Sequence, residues 1–370
     1  MRKFLFLFTA LLLPIMFVSC ERDDDEPIII KGELQPRLYV STSDYLGGSS
    51  NRLNNVFAVD SADSEGGMSS TNITSFLSGA MGGRTIHYAP TSDGLLFQSA
   101  MNPPGMFDTS IYVMKISEKG LVSQSNVIPN RRFDNIRGLA YSVINSGQVS
   151  AEYLVAANSS DNLDYAELFA FDKPTSAVGF KRPRFSIRLD YTPWGLKMEG
   201  KDLFVVKTGD KGGIVVYKDF GEKLINGKDS VWNDLNPSYT LTIEDSKNLG
   251  GIAYSKVKDI LMVTDYDGVG STAVGRILIF DEFSKYNKSE SITPSRIIAG
   301  DATSLKQPLD VAIDGRDNGK YFFVADPVKR SVLRYFINDD GNVKPDFEIV
   351  IKDSKTDQIR TPQSISLDAR

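Results

Sequence analysis

The chain offers little for nucleophilic or acid–base chemistry: among 370 residues there is one histidine, His87, and one cysteine, Cys20. A Ser-His-Asp triad would have to use His87, and no G-x-S-x-G elbow exists to present a serine. Cys20 has no general base beside it to draw off its proton. The stretch "GEKLINGKDS" from Gly221 places five residues between its glycines where a phosphate-binding loop needs four, and Asp229 follows the lysine. "TDYDGVG" from Thr264 opens like a calcium loop but lacks the third acidic position and the distal glutamate. With no C-x-x-C pair and no second histidine, zinc and haem ligation have no ligands. What remains is recognition chemistry: carboxylates and carboxamides as oxygen donors, arginines, and two tryptophans. The basic clusters "KRPR" at Lys181 and "NRR" at Asn130 sit on a chain of formal charge −5, so they read as inter-strand turns and nucleic acid is not an expected partner.

Cys20 has a different meaning. Arg2 and Lys3 precede an apolar run, Phe4 to Val18, that is broken by Pro14 and too short to span a bilayer. The run ends "FVSC", which resembles the lipobox of bacterial lipoproteins, where the cysteine becomes the lipidated first residue. The following "ERDDDE" looks like the acidic export tag of Bacteroidetes lipoproteins displayed on the cell surface. These resemblances imply a signal peptide over 1–19, lipidation of Cys20, a tether over 20–35, and an outer-membrane location in which lipid is the only membrane contact.

The elements that must position the recognition residues are strands. Short Val/Ile/Tyr/Phe runs alternate with Gly, Asp, Asn and Pro, and no long amphipathic helical pattern appears. The runs repeat. "TPWGLKMEGKDLFVVKTGDKGGIVVYKD" from Thr192 parallels the segments that begin at Leu249 and Gln307, and "NPSYTLTI" at Asn236 parallels "TPSRIIAG" at Thr293. Aligned strand starts fall at Arg84, Arg137, Trp194, Gly250, Leu309 and Gln363, in steps of 53 to 59 residues. That period holds one four-stranded antiparallel blade. The last start supplies a single strand, while "PRLYVSTSDY" at Pro36 begins on a second strand, so the two fragments complete one another. The expected fold is all-β: a six-bladed β-propeller over 36–370, its ring closed by the C-terminal strand joining the N-terminal ones. The segment "TPSRIIAGDATSLKQPLDVAIDGRDNGKYFFVADPVKRSVLRYF" resembles NHL-type propeller repeats, with its proline, "VAID", "YFFVAD" and late aromatic in the expected places. The resemblance implies the fold and leaves function open, since propellers host unrelated activities.

In such a ring the innermost strand of each blade lines a central channel. Strand starts then place Arg84, Arg137, Trp194, Asp310 and Gln363 at its mouth, with the second-strand ends Asp44, Asn158, Lys207, Asp265 and Asp326 around them. A tryptophan with arginines and carboxylate or carboxamide groups suits a glycan, a peptide or a partner protein of an outer-membrane complex. The expectation is a binding module with no catalytic residue and no cofactor. The rival expectation follows from a resemblance to six-bladed calcium lactonases: a propeller hydrolase with calcium in the channel, held by Asn158, Asp265 and Asp310. A third is a structural adaptor that uses the long polar insertions of blades one to three.

Overall fold

Residues with bulk at Cβ and aromatic rings crowd a helix but pack well on a pleated surface, and the Val/Ile/Phe/Tyr runs accordingly form strands. The structure, a computed structural model, describes residues 35–47, 52–91, 94–160, 165–176, 180–353 and 356–370; Cys20, the signal segment and the acidic tether lie outside the described residues. Among the described residues no helix is long and apolar enough to cross a membrane. Residues 35–370 form one unit whose strands make six sheets of four or five strands each. The sheets surround a common axis, and the fold is a six-bladed β-propeller.

The inner strands are, for blades one to six in turn, Pro362–Asp368, Gly83–Ala89, Asn135–Ser146, Pro193–Glu199, Ile252–Ser255 and Asp310–Ile313. Blade one is assembled from both ends of the chain: Arg37 pairs with Asp368 and Val40 with Ile365 in an antiparallel ladder. Second strands such as Leu95–Ala100 and Tyr321–Asp326 are buried at every position, because each blade is sandwiched between two others. This explains why they read as continuous apolar runs and not as alternating ones. The core is correspondingly divided into layers between neighbouring blades. Tyr39 and Val56 of blade one pack on Ile86 and Leu96 of blade two. Phe97 of blade two packs among Leu154 and Phe169 of blade three, and equivalent layers follow around the ring.

Two blades exceed the four strands expected. Val231–Trp232 adds in parallel to the outer edge of blade three, and Glu290–Ile292 adds in parallel to that of blade four. Both segments belong to the connection before the outermost strand of the following blade, which reaches back across the gap. The same connection of blade six reaches blade five through a bridge between Gly341 and Ile298. That of blade one offers the carbonyls of Ala62 and Ser64 to the buried guanidinium of Arg334 in blade six. Edge strands that would expose unpaired backbone are thus covered by the neighbouring blade.

Candidate functional site

The inner strands enclose a central cavity of about 280 Å³. Arg84, Arg137, Trp194, Asp310 and Gln363 all line it, each from a different blade. In blades one to four the inner strand breaks register near its start: between Pro362 and Ser364, between Gly83 and Ile86, between Ile136 and Gly138, and between Pro193 and Leu196. An extra residue in one strand twists it locally and re-aims a side chain. Gln363, Arg84, Arg137 and Trp194 lie within these four irregularities. The strands approach so closely here that a Cβ on Gly138 would collide with the carbonyl oxygen of Trp194, and one on Gly251 with Asp310.

Each inner strand has an edge with no strand beside it, so its N–H groups need other acceptors. Neighbouring blades supply them. Ser364 and Ser366 of blade one accept from the amides of Ile86 and Tyr88 of blade two at 3.0 and 2.9 Å. His87 Nε2 of blade two accepts from Tyr141 N of blade three at 3.0 Å. Gly195 N donates to Gly250 O, and Gly251 N to Leu309 O. Asp310 Oδ2 of blade six accepts from Ile365 N of blade one at 3.0 Å and from the hydroxyl of Ser364, while Oδ1 accepts from Val311 N. His87 and Asp310 are therefore members of an inner belt that joins blade to blade. Burial, and then the charge of Lys197, pull His87 down to about 3, so its imidazole is neutral with the proton on Nδ1. Burial pushes the Asp310 carboxyl up to about 6 against the three donors that favour its charged form.

The metal set expected of Asn158, Asp265 and Asp310 is not brought together. Neither Asn158 nor Asp265 lines the cavity. Each is spent on a turn inside its own blade. Asn158 Oδ1 accepts from Asp134 N and Asn135 N, while its Nδ2 donates to Arg132 O. Asp265, fully buried, accepts from Lys247 N and Asn248 N and pairs with Arg276. Asp326 takes Lys306 N and Gln307 N in the same way, and Asp44 takes Thr361 N. In all four blades an Asx within two residues of the second-strand end staples the loop that enters the inner strand. The repeat needs the residue type for a fold reason, which is what made it resemble a ligand set. Among the described residues, no group of three or more His, Cys, Asp or Glu side chains is placed to hold a metal ion.

At the mouth the guanidinium of Arg137 lies 3.8 Å from the centre of the Trp194 ring, so one face of the expected stacking platform is already covered. Gln363 Nε2 donates to Ser43 Oγ at 3.2 Å. Lys197, three residues after Trp194 on the same strand, also lines the cavity, with burial lowering its pKa and Glu199 opposing. The spacing of strand starts does not point to it, because Lys197 stands one layer deeper in the channel. Strict alternation would put Trp194 and Lys197 on opposite faces, and only the bulge between Pro193 and Leu196 brings the two to one side.

No protein-family model matches the chain, and no curated protein does. Among solved structures it is similar to hydrazine synthase of Kuenenia stuttgartiensis, at 14% identity and a TM-score of 0.47, over 80% of this chain and 81% of that one. It is also similar to the Dos1 propeller, at 13% and 0.39 over 87% and 71%. A third is the GH93 α-L-arabinofuranosidase of Fusarium graminearum in complex with arabinobiose, at 9% and 0.45 over 77% and 92%. At such identities and scores the likeness carries nothing about what this chain binds. The protein is placed by its own architecture, as a six-bladed β-propeller with a polar channel mouth.

Proposed function

We propose that this protein is a binding module, a propeller with NHL-like repeats that takes a ligand at its channel mouth without transforming it. The ligand is a small polar molecule, a glycan end or a peptide end, and Cys20 carries the lipid that holds the module at the outer membrane, facing outward. One observation carries the reading: five side chains suited to polar contacts arrive from five separate blades at one cavity, four of them at strand bulges. Bulges next to a cavity are a recurrent device for presenting side chains. No observation favours the calcium hydrolase, because the oxygens of Asn158 and Asp265 are committed to backbone amides.

The test is a screen of the full-length protein against glycan and peptide arrays, repeated with Trp194→Ala. Binding that disappears in the variant, with an unchanged melting temperature, is the expected result. A ligand that binds equally well without Trp194 places recognition elsewhere and sinks the channel reading. Cys20→Ala tests the anchor separately, and the variant is expected to leave the membrane fraction.

A further inference from the structure

A charge taken out of water loses its hydration, so buried cations in folded proteins are paired. The channel lining carries Arg84, Arg137 and Lys197 and a single carboxylate, Asp310, on a chain that is acidic as a whole, at −5. The oxygens of Asp310 are spent on the ring wall, on Ser364, Ile365 and Val311. Lys197 has Glu199 at 3.9 Å. Arg84 is the outlier. Its Nη1 is buried with no hydrogen-bond partner, and its Nε meets only the thioether sulfur of Met101 at 3.4 Å. Asp134 acts on it through space, but one oxygen of that carboxylate is already taken by the hydroxyl of Ser160. Burial first, and then the neighbouring charge of Arg137, draw Arg84 down to about 10, the direction expected of a cation that lacks its counter-charge.

We infer that the channel mouth is built for an anion, a small molecule that presents a carboxylate to Arg84, with the Arg137 guanidinium lying on Trp194 as the second donor. The inference rests on the binding-module reading and narrows it. A guanidinium fork suits a carboxylate and a phosphate alike, so charge decides between them. Asp310 in the same cavity disfavours a doubly charged guest, which favours the carboxylate. The volume sits at the low end of ligand pockets, roughly 300 to 1,000 Å³, so only a small acid or the acidic terminus of a larger molecule fits. An acidic sugar, an organic acid and a peptide C-terminus share this chemistry.

Matched pairs separate them: glucuronate against glucose, succinate against succinamide, and a short peptide with a free or an amidated C-terminus, with inorganic phosphate beside them. Thermal unfolding and calorimetry of the full-length protein are expected to respond to the acid of at least one pair and not to its neutral partner. Arg84→Met is expected to weaken that binding about tenfold or more. Without ligand, the same variant is expected to melt higher than the parent, because it deletes a half-buried charge that only Asp134 offsets while keeping an apolar stem. A lower ligand-free melting temperature would show that Arg84 is structurally paired, and would overturn the inference. Equal binding of acid and neutral partner overturns the anion class but leaves the binding module standing. A response to phosphate alone overturns the carboxylate assignment, and silence from every probe overturns the anion site altogether.

Discussion

His87 can accept the amide of Tyr141 only while Nε2 is unprotonated, and Asp310 holds the amide of Ile365 with a carboxyl whose proton burial favours. The two belt members therefore titrate against each other. The pKa of His87 is about 3 in the fold against 6.5 when exposed, so the unfolded chain binds the extra proton first. Its contribution is complete above about pH 6.5 and is lost as pH falls toward 3, by about 5 kcal/mol at most. Asp310, at about 6 against 3.8, is the reverse. Here the folded chain holds the proton more tightly, so stability is greatest below about pH 4 and declines by about 3 kcal/mol as pH rises through 6. Between about pH 4 and 6 the two slopes oppose. His87→Gln should leave a protein that gains stability on acidification across that window, and Asp310→Asn one that loses it faster than the parent. Urea midpoints at a series of pH values would show this, and parallel curves for all three proteins would refute it. Asp265 makes a different residue-scale prediction. Asp265→Ala leaves two amides without their acceptor and Arg276 without its carboxylate, at a cost of about 3 to 5 kcal/mol, whereas a chelator leaves the parent's unfolding midpoint where it was. A chelator-dependent loss would return the metal reading to consideration. That Asp265 stands near the end of a strand, which runs on to Asp267, was legible in the sequence. Which way its carboxylate turns was not, because a single step of register decides it.

Among the elements, the inner strands were the most legible and their irregularities the least. The repeat located Arg84, Arg137, Trp194 and Gln363 on the strands that line the cavity because each blade spends apolar residues at the same offsets, and that pattern survives without knowledge of the ring. The bulges leave no such trace. They arise when one strand pairs with another over unequal lengths, which the strand's own sequence does not encode. Val231–Trp232 escaped notice for a related reason, since two residues carry no periodicity and their pairing partner lies in the preceding blade. Gly138 shows how finely the wall is set. Gly138→Ala would drive a methyl group into the backbone at Trp194, at a cost of about 1 to 3 kcal/mol for overpacking. It should also displace the Arg137–Trp194 pair. The check is tryptophan fluorescence alongside urea unfolding: an unshifted spectrum with parental stability would mean that the strands part easily there.

The molecule as a whole is a ring fastened by one ladder, in which Pro362–Asp368 supplies the inner strand of the blade that Arg37–Thr42 begins. Deleting residues 362–370 removes Ser364 and Ser366, the acceptors for blade two, together with the acceptor's guest at Asp310. The shortened chain is expected to lose cooperative unfolding or to associate through the bared edge of Arg37–Thr42, and sedimentation velocity with thermal scans distinguishes either outcome from an intact monomer. The fold class was open to sequence reasoning because closure is written at the two ends of the chain. The ligand was not, since the groups that would hold it come from blades whose relative rotation no single repeat records.

The same ladder has a consequence in time. Strand Arg37–Thr42 is made more than 300 residues before its partner, Pro362–Asp368. Blades two to six can each close on contiguous chain as it emerges, whereas blade one must wait until Pro362–Asp368 has been made. Pairing between such distant segments is slow, because the entropy of bringing them together is spent before any contact returns it. Until then strand Arg37–Thr42 is paired on one edge only, with Val56–Val59, and its inner edge is bare. The interval between the first strand and the last is therefore when this protein is most exposed to aggregation, and the rate of final ring closure sets how long that interval lasts.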